Sequence, residues 1–213
     1  MSAAATAINR GEPINPPEVE LTEAEEIAIA LVRASGLISE IHHMAYHDPL
    51  TDLGNRTFFY ELLDNSVARA QREGNSFSLM MLDLDRFKEV NDREGHTVGD
   101  AVLQTVAQRI RAEVRAGDLA ARLGGDEFGI LLHSANHASA LDVAERIRNS
   151  LAAAYPQSQI PLTASIGVMT WQPGITSSTA MIELTDRALY AAKNQGRNTV
   201  CSASPEQKDL LPA

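Results

Sequence analysis

Two short apolar runs, Leu119-Ala120-Ala121 and Ile130-Leu131-Leu132, flank the stretch Arg122-Leu123-Gly124-Gly125-Asp126-Glu127-Phe128. Apolar segments joined by paired glycines read as a β-hairpin, because a tight turn needs the positive φ that glycine adopts without strain. A hairpin commits the sheet to at least one antiparallel pair. It also lifts two carboxylates, Asp126 and Glu127, to the tip of that sheet. Acidic turns often serve solubility alone, so the turn by itself assigns no chemistry.

A second acidic stretch shifts the balance. Leu82-Asp83-Leu84-Asp85-Arg86-Phe87-Lys88 closes the strand-like run Phe77-Ser78-Leu79-Met80-Met81. The two-residue period of a strand puts Asp83 and Asp85 on the face of Phe77, Leu79 and Met81. If the hairpin pairs beside this strand, four carboxylates meet at one sheet edge. Like charges ~4 Å apart repel by about 1 kcal/mol in water and ~4 kcal/mol at a half-buried site. The turn offers nothing basic to neutralise them. A divalent cation would, and all-oxygen ligands suit Mg²⁺ or Mn²⁺.

Helical patterns surround these strands. A helix is expected from Thr22 as N-cap, with Glu23, Glu25 and Glu26 in its first turns and a heptad-like seam of Ala24, Ile27, Leu31, Ala34, Ile38, Ile41 and Ala45. That seam fits a coiled-coil stalk and equally a helix lying on its own domain. Residues His47 to Arg56 read as a turn, with Asp48, Asn55 and Arg56 fastening it to the domain. Thr57 is expected to cap a helix over Phe58 to Glu73. After Lys88, Asn91 to His96 reads as a polar connection. A helix buried through Val102, Leu103, Val106, Ile110 and Val114 follows, and after the hairpin another, Asn136 to Ala154, faces inward through Leu141, Ala144, Ile147 and Leu151. A strand through Leu162 to Met169, a helix from Thr179 stopped by Gly196 as its C′ glycine, and a closing strand Asn198 to Cys201 complete the order.

Motifs spread over roughly Asp48 to Val200 resemble those of the GGDEF-domain diguanylate cyclases. They are His47-Asp48-Pro49-Leu50-Thr51-Asp52-Leu53-Gly54-Asn55-Arg56, Asp83 to Lys88, Asn91-Asp92, Gly95-His96, Gly99-Asp100, Gly124 to Phe128, Ala164 to Val168 and Ala188 to Asn198. The resemblance implies an α+β fold. Its mainly antiparallel central sheet is surrounded by helices, as in the nucleotide cyclases and the polymerase palm, with an N-terminal helical stalk. The expected division is a disordered tail over 1–20, the stalk over 21–46, the cyclase domain over 47–202 and a tail over 203–213. The implied reaction joins two GTP into cyclic di-GMP and two pyrophosphates, by attack of a 3′-hydroxyl on an α-phosphate.

By the same resemblance, Asp83, the Leu84 carbonyl, Asp126 and Glu127 would hold two Mg²⁺ or Mn²⁺ ions. Asp126, Glu127 and Lys88 would be catalytic, Glu127 as a ligand or as the proton acceptor, and Asp85 would sit behind them. Lys88, Lys193 and Arg197 match phosphate-binding cations, though cations near a helix C-terminus are favourable without any ligand. Asn91, His96 and Asp100 match the guanine pocket; an Asp carboxylate accepts from guanine N1–H and N2–H, a donor edge that adenine lacks. Alone, Asp100 would pass as a helix N-cap. Arg115-Ala116-Gly117-Asp118 resembles an inhibitory product site, with Arg146 as a secondary contact, although locally it is a helix end with a glycine stop. One site holds one GTP, so a homodimer is implied. A catalytically silent module binding GTP or cyclic di-GMP is the alternative, and the intact acidic residues weigh against it.

A formal net charge of -10 argues against a general nucleic-acid surface, which needs a basic stripe. The lone cysteine, Cys201, rules out an internal disulfide and is expected to pack as a small apolar residue. No apolar run reaches the ~20 residues of a membrane span and no secretory pattern is seen, so the expectation is a cytoplasmic chain without membrane contact. No Glu-Ala-Leu phosphodiesterase domain is seen, so hydrolysis of cyclic di-GMP by this chain is not expected.

Overall fold

The structure, a computed structural model, describes residues 23–154 and 162–203. The expected tails, the Thr22 cap and the side chains of Ala24 and Ile38 lie outside the described residues. The chain divides into two compact units between His42 and His43. Helix α1 (Glu23–Tyr46) makes up the described part of the first unit and supplies the opening turn of the second. Within α1, Ile27, Leu31 and Ile41 of the seam are exposed, and so are Val32, Leu37 and Met44. No helix among the described residues is long and apolar enough to cross a membrane.

The second unit runs α2 (Arg56–Glu73), β1 (Phe77–Asp85), α3 (Phe87–Glu94), α4 (His96–Glu113), β2 (Leu119–Gly124), β3 (Glu127–His133), α5 (His137–Ala152), β4 (Thr163–Thr170), α6 (Ser178–Asn194) and β5 (Val200–Ser202). The sheet order is β2-β3-β1-β4-β5, antiparallel throughout except for β5, which lies parallel to β4. This is the expected α+β class, with one parallel edge strand. Strand alternation splits the core in two. Met80, Leu82 and Leu84 pack with Val102, Val106, Ile110, Ala144 and Ile147 of α4 and α5. Phe77, Leu79 and Met81 pack on the opposite face with Phe59, Leu63 and Val67 of α2 and Met181 of α6.

Four local expectations are corrected. The cap of α2 is Asn55, whose side-chain oxygen accepts from the Phe58 N–H at 3.0 Å, so Thr57 lies inside the helix. Asn91 belongs to a helix, because Arg86 turns the chain in the left-handed region (φ 59°) and Phe87 and Val90 then bury one face of α3. Helix α4 consequently starts at His96 behind Gly95, which leaves Asp100 one turn inside and not at a cap. Asn136, expected as the first residue of its helix, instead caps α5, its side-chain oxygen accepting from the Ser139 N–H at 2.9 Å, and Gly196 follows α6 with φ 106°.

Helix α6 lies unusually near the sheet. A Cβ placed on Gly167 of β4 would sit 2.4 Å from both the Leu189 nitrogen and the Thr185 oxygen, backbone atoms that cannot rotate away. We expect Gly167→Ala to lower stability by ~1–3 kcal/mol through overpacking, measured as a reduced urea midpoint with an unchanged m-value.

Candidate active site

The hairpin forms as its sequence demands. Gly125 turns the chain at φ 53°, and the register slips between Arg122 and Gly124, so that Gly124 faces Glu127. Arg122 stabilises the turn from below: its Nε and Nη2 donate to the Gly125 carbonyl at 3.0 and 2.9 Å, and Nη1 lies 3.4 Å from Asp48. Burial pushes the Asp48 carboxyl up, but hydrogen bonds from Thr51 and the Arg122 charge outweigh it and hold the group below its usual 3.8. Asp48 thus fastens the segment as expected, in a contact that is lost when the carboxyl protonates in acid.

Strand pairing brings the acidic groups together. Asp83 lies directly opposite Glu127 on one side and Ser165 on the other, and Leu84 N–H donates to the Asp126 carbonyl at 3.3 Å. Opposed residues share a sheet face, and like charges there destabilise the pair. The neutralising charge comes from α6, a helix distant in sequence. Lys193 Nζ stands 2.7 Å from Asp83 Oδ2. Burial pushes the Asp83 carboxyl above its ordinary value, the Asp126 and Asp85 charges push the same way, and Lys193 only partly offsets them. Asp186, two turns before Lys193 on α6, is also raised by desolvation and pulled back by the lysine.

Asp85 serves a different purpose. It is buried, with Oδ2 accepting from Thr163 Oγ1 at 2.7 Å and from the Asn198 N–H at 3.0 Å, while Oδ1 accepts from Ser165 Oγ at 2.7 Å. This carboxylate ties β1 to β4 and to the loop that carries Arg197, which itself sits at φ 67°. The four-carboxylate edge is therefore three carboxylates at the tip and one anchor behind them. Ser165 stands inside one of the sequence motifs but receives no role from it, and Thr163 and Asp186 escape the sequence reading altogether. Polar residues at alternate positions of an otherwise apolar strand are the available signal for Thr163 and Ser165.

The cations and polar groups on α3 and α4 frame the other side. Lys88 is exposed on α3, one turn from Asn91, while His96 and Asp100 are exposed on the first turns of α4. Asn91 reaches the start of α4 because Gly99 lacks a side chain; a Cβ there would lie 1.9 Å from Asn91 Oδ1. Asn91 and the neighbour of Asp100 are in contact as a result.

Arg115, Asp118 and Arg146 line one cavity of ≈ 190 Å³ together with Glu113, His133 and Asp142. Asp118 uses both oxygens on the backbone, accepting from the Arg115 N–H at 3.1 Å and the His133 N–H at 3.0 Å. Arg146 donates to the Glu113 carboxylate at 3.0 Å. Helix α4 has ended at Glu113, so Arg115 lies beyond the last turn.

Residues 45–199 match the family model described as diguanylate cyclase, GGDEF domain. The chain belongs to this GGDEF family. It is similar to the bifunctional diguanylate cyclase/cyclic di-GMP phosphodiesterase MucR of Pseudomonas aeruginosa, 41% identical over 82% of this chain and 25% of that protein. Diguanylate cyclase TpbB of the same organism is 39% identical over 76% of this chain and 38% of its own length. The chain thus spans between a quarter and two fifths of those two curated relatives. Among solved structures, the coiled coil and GGDEF domain of DgcB from Caulobacter crescentus, in complex with c-di-GMP, superposes with a TM-score of 0.77 at 31% identity, over 84% of this chain and 96% of that one.

Asp83 and Asp85 of this GGDEF domain should respond oppositely to loss of charge. Asp85→Ala strands buried donors and should cost on the order of 3 kcal/mol. Asp83 has a raised folded-state pKa, so its charge opposes folding at pH values above that pKa, and the penalty fades as pH falls through it. Asp83→Asn should therefore melt no lower than the parent chain at neutral pH without divalent ions, as read by calorimetry.

Proposed function

We propose that this chain is an active diguanylate cyclase, condensing two GTP into cyclic di-GMP with release of two pyrophosphates. The observation that carries the reading is the meeting of Asp83 with Glu127 across the ladder, beside the Asp126 turn and with the Lys193 ammonium 2.7 Å from Asp83 Oδ2. A lysine already standing at Asp83 marks a place where positive charge is held, and the oxygen-only donors Asp83, Asp126, Glu127 and the Leu84 carbonyl suit a hard divalent cation. Among the described residues these carboxylates do not form a closed three-ligand cluster. Nucleotide phosphates would supply the remaining oxygens.

Bound Mg²⁺ or Mn²⁺, two ions in this reading, would lower the pKa of the attacking hydroxyl and hold charge on the phosphate oxygens. The chain's own groups do the rest. Lys88 and Arg197 take the triphosphate, and Lys193 turns to it from Asp83 when nucleotide enters. Asn91 and Asp100 read the guanine edge, with His96 beside them. Glu127, exposed at the first position of β3, is free to accept the 3′-hydroxyl proton or to serve as a ligand. Because one domain positions one GTP, two copies must face each other. The exposed apolar residues of α1 suit a coiled-coil dimer, an arrangement supported by the DgcB structure, which comprises a coiled coil and a GGDEF domain.

Arg115 and Arg146 share a cavity in which a guanine base or phosphate can be gripped, with Asp118 holding the loop in shape. The DgcB structure is a complex with c-di-GMP, and binding of the product by a similar GGDEF domain supports feedback as part of this reading.

Incubation with GTP and Mg²⁺ should yield pyrophosphate and cyclic di-GMP, resolved by chromatography. Asp126→Asn should abolish both while the circular dichroism stays unchanged, and ATP should yield little; equal use of ATP would undo the role given to Asp100. Arg115→Ala should leave the initial rate intact and relieve inhibition by added cyclic di-GMP at least tenfold. Unchanged inhibition would move the product site elsewhere.

A further inference from the structure

In the opening segment of the second unit, three potential ligands converge that the proposed cyclase reaction leaves unused. His43 Nε2 lies 3.0 Å from Asp52 Oδ1, His47 Nδ1 lies 3.7 Å from the same oxygen, and all three ligand atoms fall within 4.8 Å of one another. We propose that His43, His47 and Asp52 form a transition-metal site, with Zn²⁺ as the ion that their donor set fits.

Geometry carries the assignment. In a tetrahedral zinc site with bonds of ~2.0–2.2 Å, neighbouring ligand atoms stand about 3.3 Å apart. The separations of 3.0 and 3.7 Å bracket that edge. The histidines are four residues apart, and the His47 N–H still donates to the His43 carbonyl at 2.9 Å, so the helical turn aligns both rings on one face. The rings stack with centroids 4.1 Å and planes 21° apart, and His47 Nδ1 also lies 3.2 Å from the Asp52 carbonyl, so an ion is taken up only as one exposed ring turns to bring both in-plane lone pairs together. Asp52 is presented to them by a turn in which it holds φ 58°, and Arg111 grips its carbonyl and its other carboxylate oxygen, Oδ2, at 3.3 Å. Such a grip orients a ligating carboxylate while leaving Oδ1 toward the imidazoles. All three side chains are accessible, at 57%, 36% and 58%, so an ion can enter and a fourth position stays open to water.

Ligand chemistry separates this site from the acidic tip. Imidazole nitrogens favour zinc, nickel or copper, whereas carboxylates and carbonyls alone favour magnesium. The two places would therefore take different ions from the same solution. Zinc here would clamp the last turn of α1 to the Asp48–Gly54 loop.

Zinc titrated calorimetrically into the full chain, in excess Mg²⁺ near neutral pH, should show one more bound ion for the parent than for His43→Ala. Asp52→Asn should weaken that ion by about tenfold or more. The ring nitrogens of His43 and His47 should shift together in ¹H–¹⁵N spectra as zinc is added. Without zinc, His43→Ala should make cyclic di-GMP at the parent rate, or, if the chain has no cyclase activity, keep the parent's circular dichroism. Equal zinc stoichiometry and affinity in the parent and both variants, or histidine resonances that stay still, would overturn the site. Loss of cyclase activity in the parent would not bear on it.

Discussion

Asp85 sets the frame on which the acidic edge of the sheet is built. A buried carboxylate that accepts from Thr163, Ser165 and the Asn198 N–H fixes three segments that no local rule would hold together. The Asp85 anchor holds β1, which carries Asp83 two residues earlier. The same contact arrests the chain after α6, where Lys193 and Arg197 sit on either side of Gly196. Hydrogen bonds to a charged group are among the stronger intramolecular ones, and burial keeps solvent from competing. The anchor is thus a structural use of a carboxylate only two residues from Asp83, which is left facing other acids.

The neighbouring charge is held at a cost. Asp83 is desolvated, faces Glu127 across the ladder and feels Asp126, and Lys193 only partly compensates. A site of that kind trades stability for readiness, since a cation arriving there gains what the folded chain has forgone. Asp48 is the contrast. Burial disfavours its charge too, yet Thr51 and Arg122 overcompensate, and the outcome is a latch. Identical side chains serve opposite ends because their donors differ.

Much of this is legible in the sequence. Strand periodicity assigns Asp83 and Asp85 to one face, and paired glycines place the hairpin. Asn136 marks the start of α5 through the side-chain oxygen that accepts from the Ser139 N–H, and Gly196 marks the end of α6 through a positive φ that few other residues adopt. The failures share a cause. Asn91 reads as loop because a polar run hides a short helix whose buried residues, Phe87 and Val90, number too few to show a period. Thr57 competes with Asn55 as a cap because the tertiary contact deciding it, Asn55 Nδ2 donating to the Ala45 carbonyl at 2.7 Å, spans ten residues. The Lys193–Asp83 pair and the Asp85 anchor join residues roughly a hundred positions apart, and no local pattern encodes such a meeting.

Between the end of α1 and the acidic turn runs a continuous backbone path. Asn55 N–H donates to the Tyr46 carbonyl, Gly54 exchanges hydrogen bonds with Ala120 and Arg122 like an extra rung on β2, and the Arg122 side chain reaches the Gly125 carbonyl. Every link is a short hydrogen bond to main chain, with no slack loop between them. A twist imposed on the last turn of the helix would have nowhere to dissipate before it reached the glycines. The last turn of α1 and the hairpin tip are thereby joined rung by rung, so that a rotation too small to alter the core would shift where Asp126 and Glu127 stand.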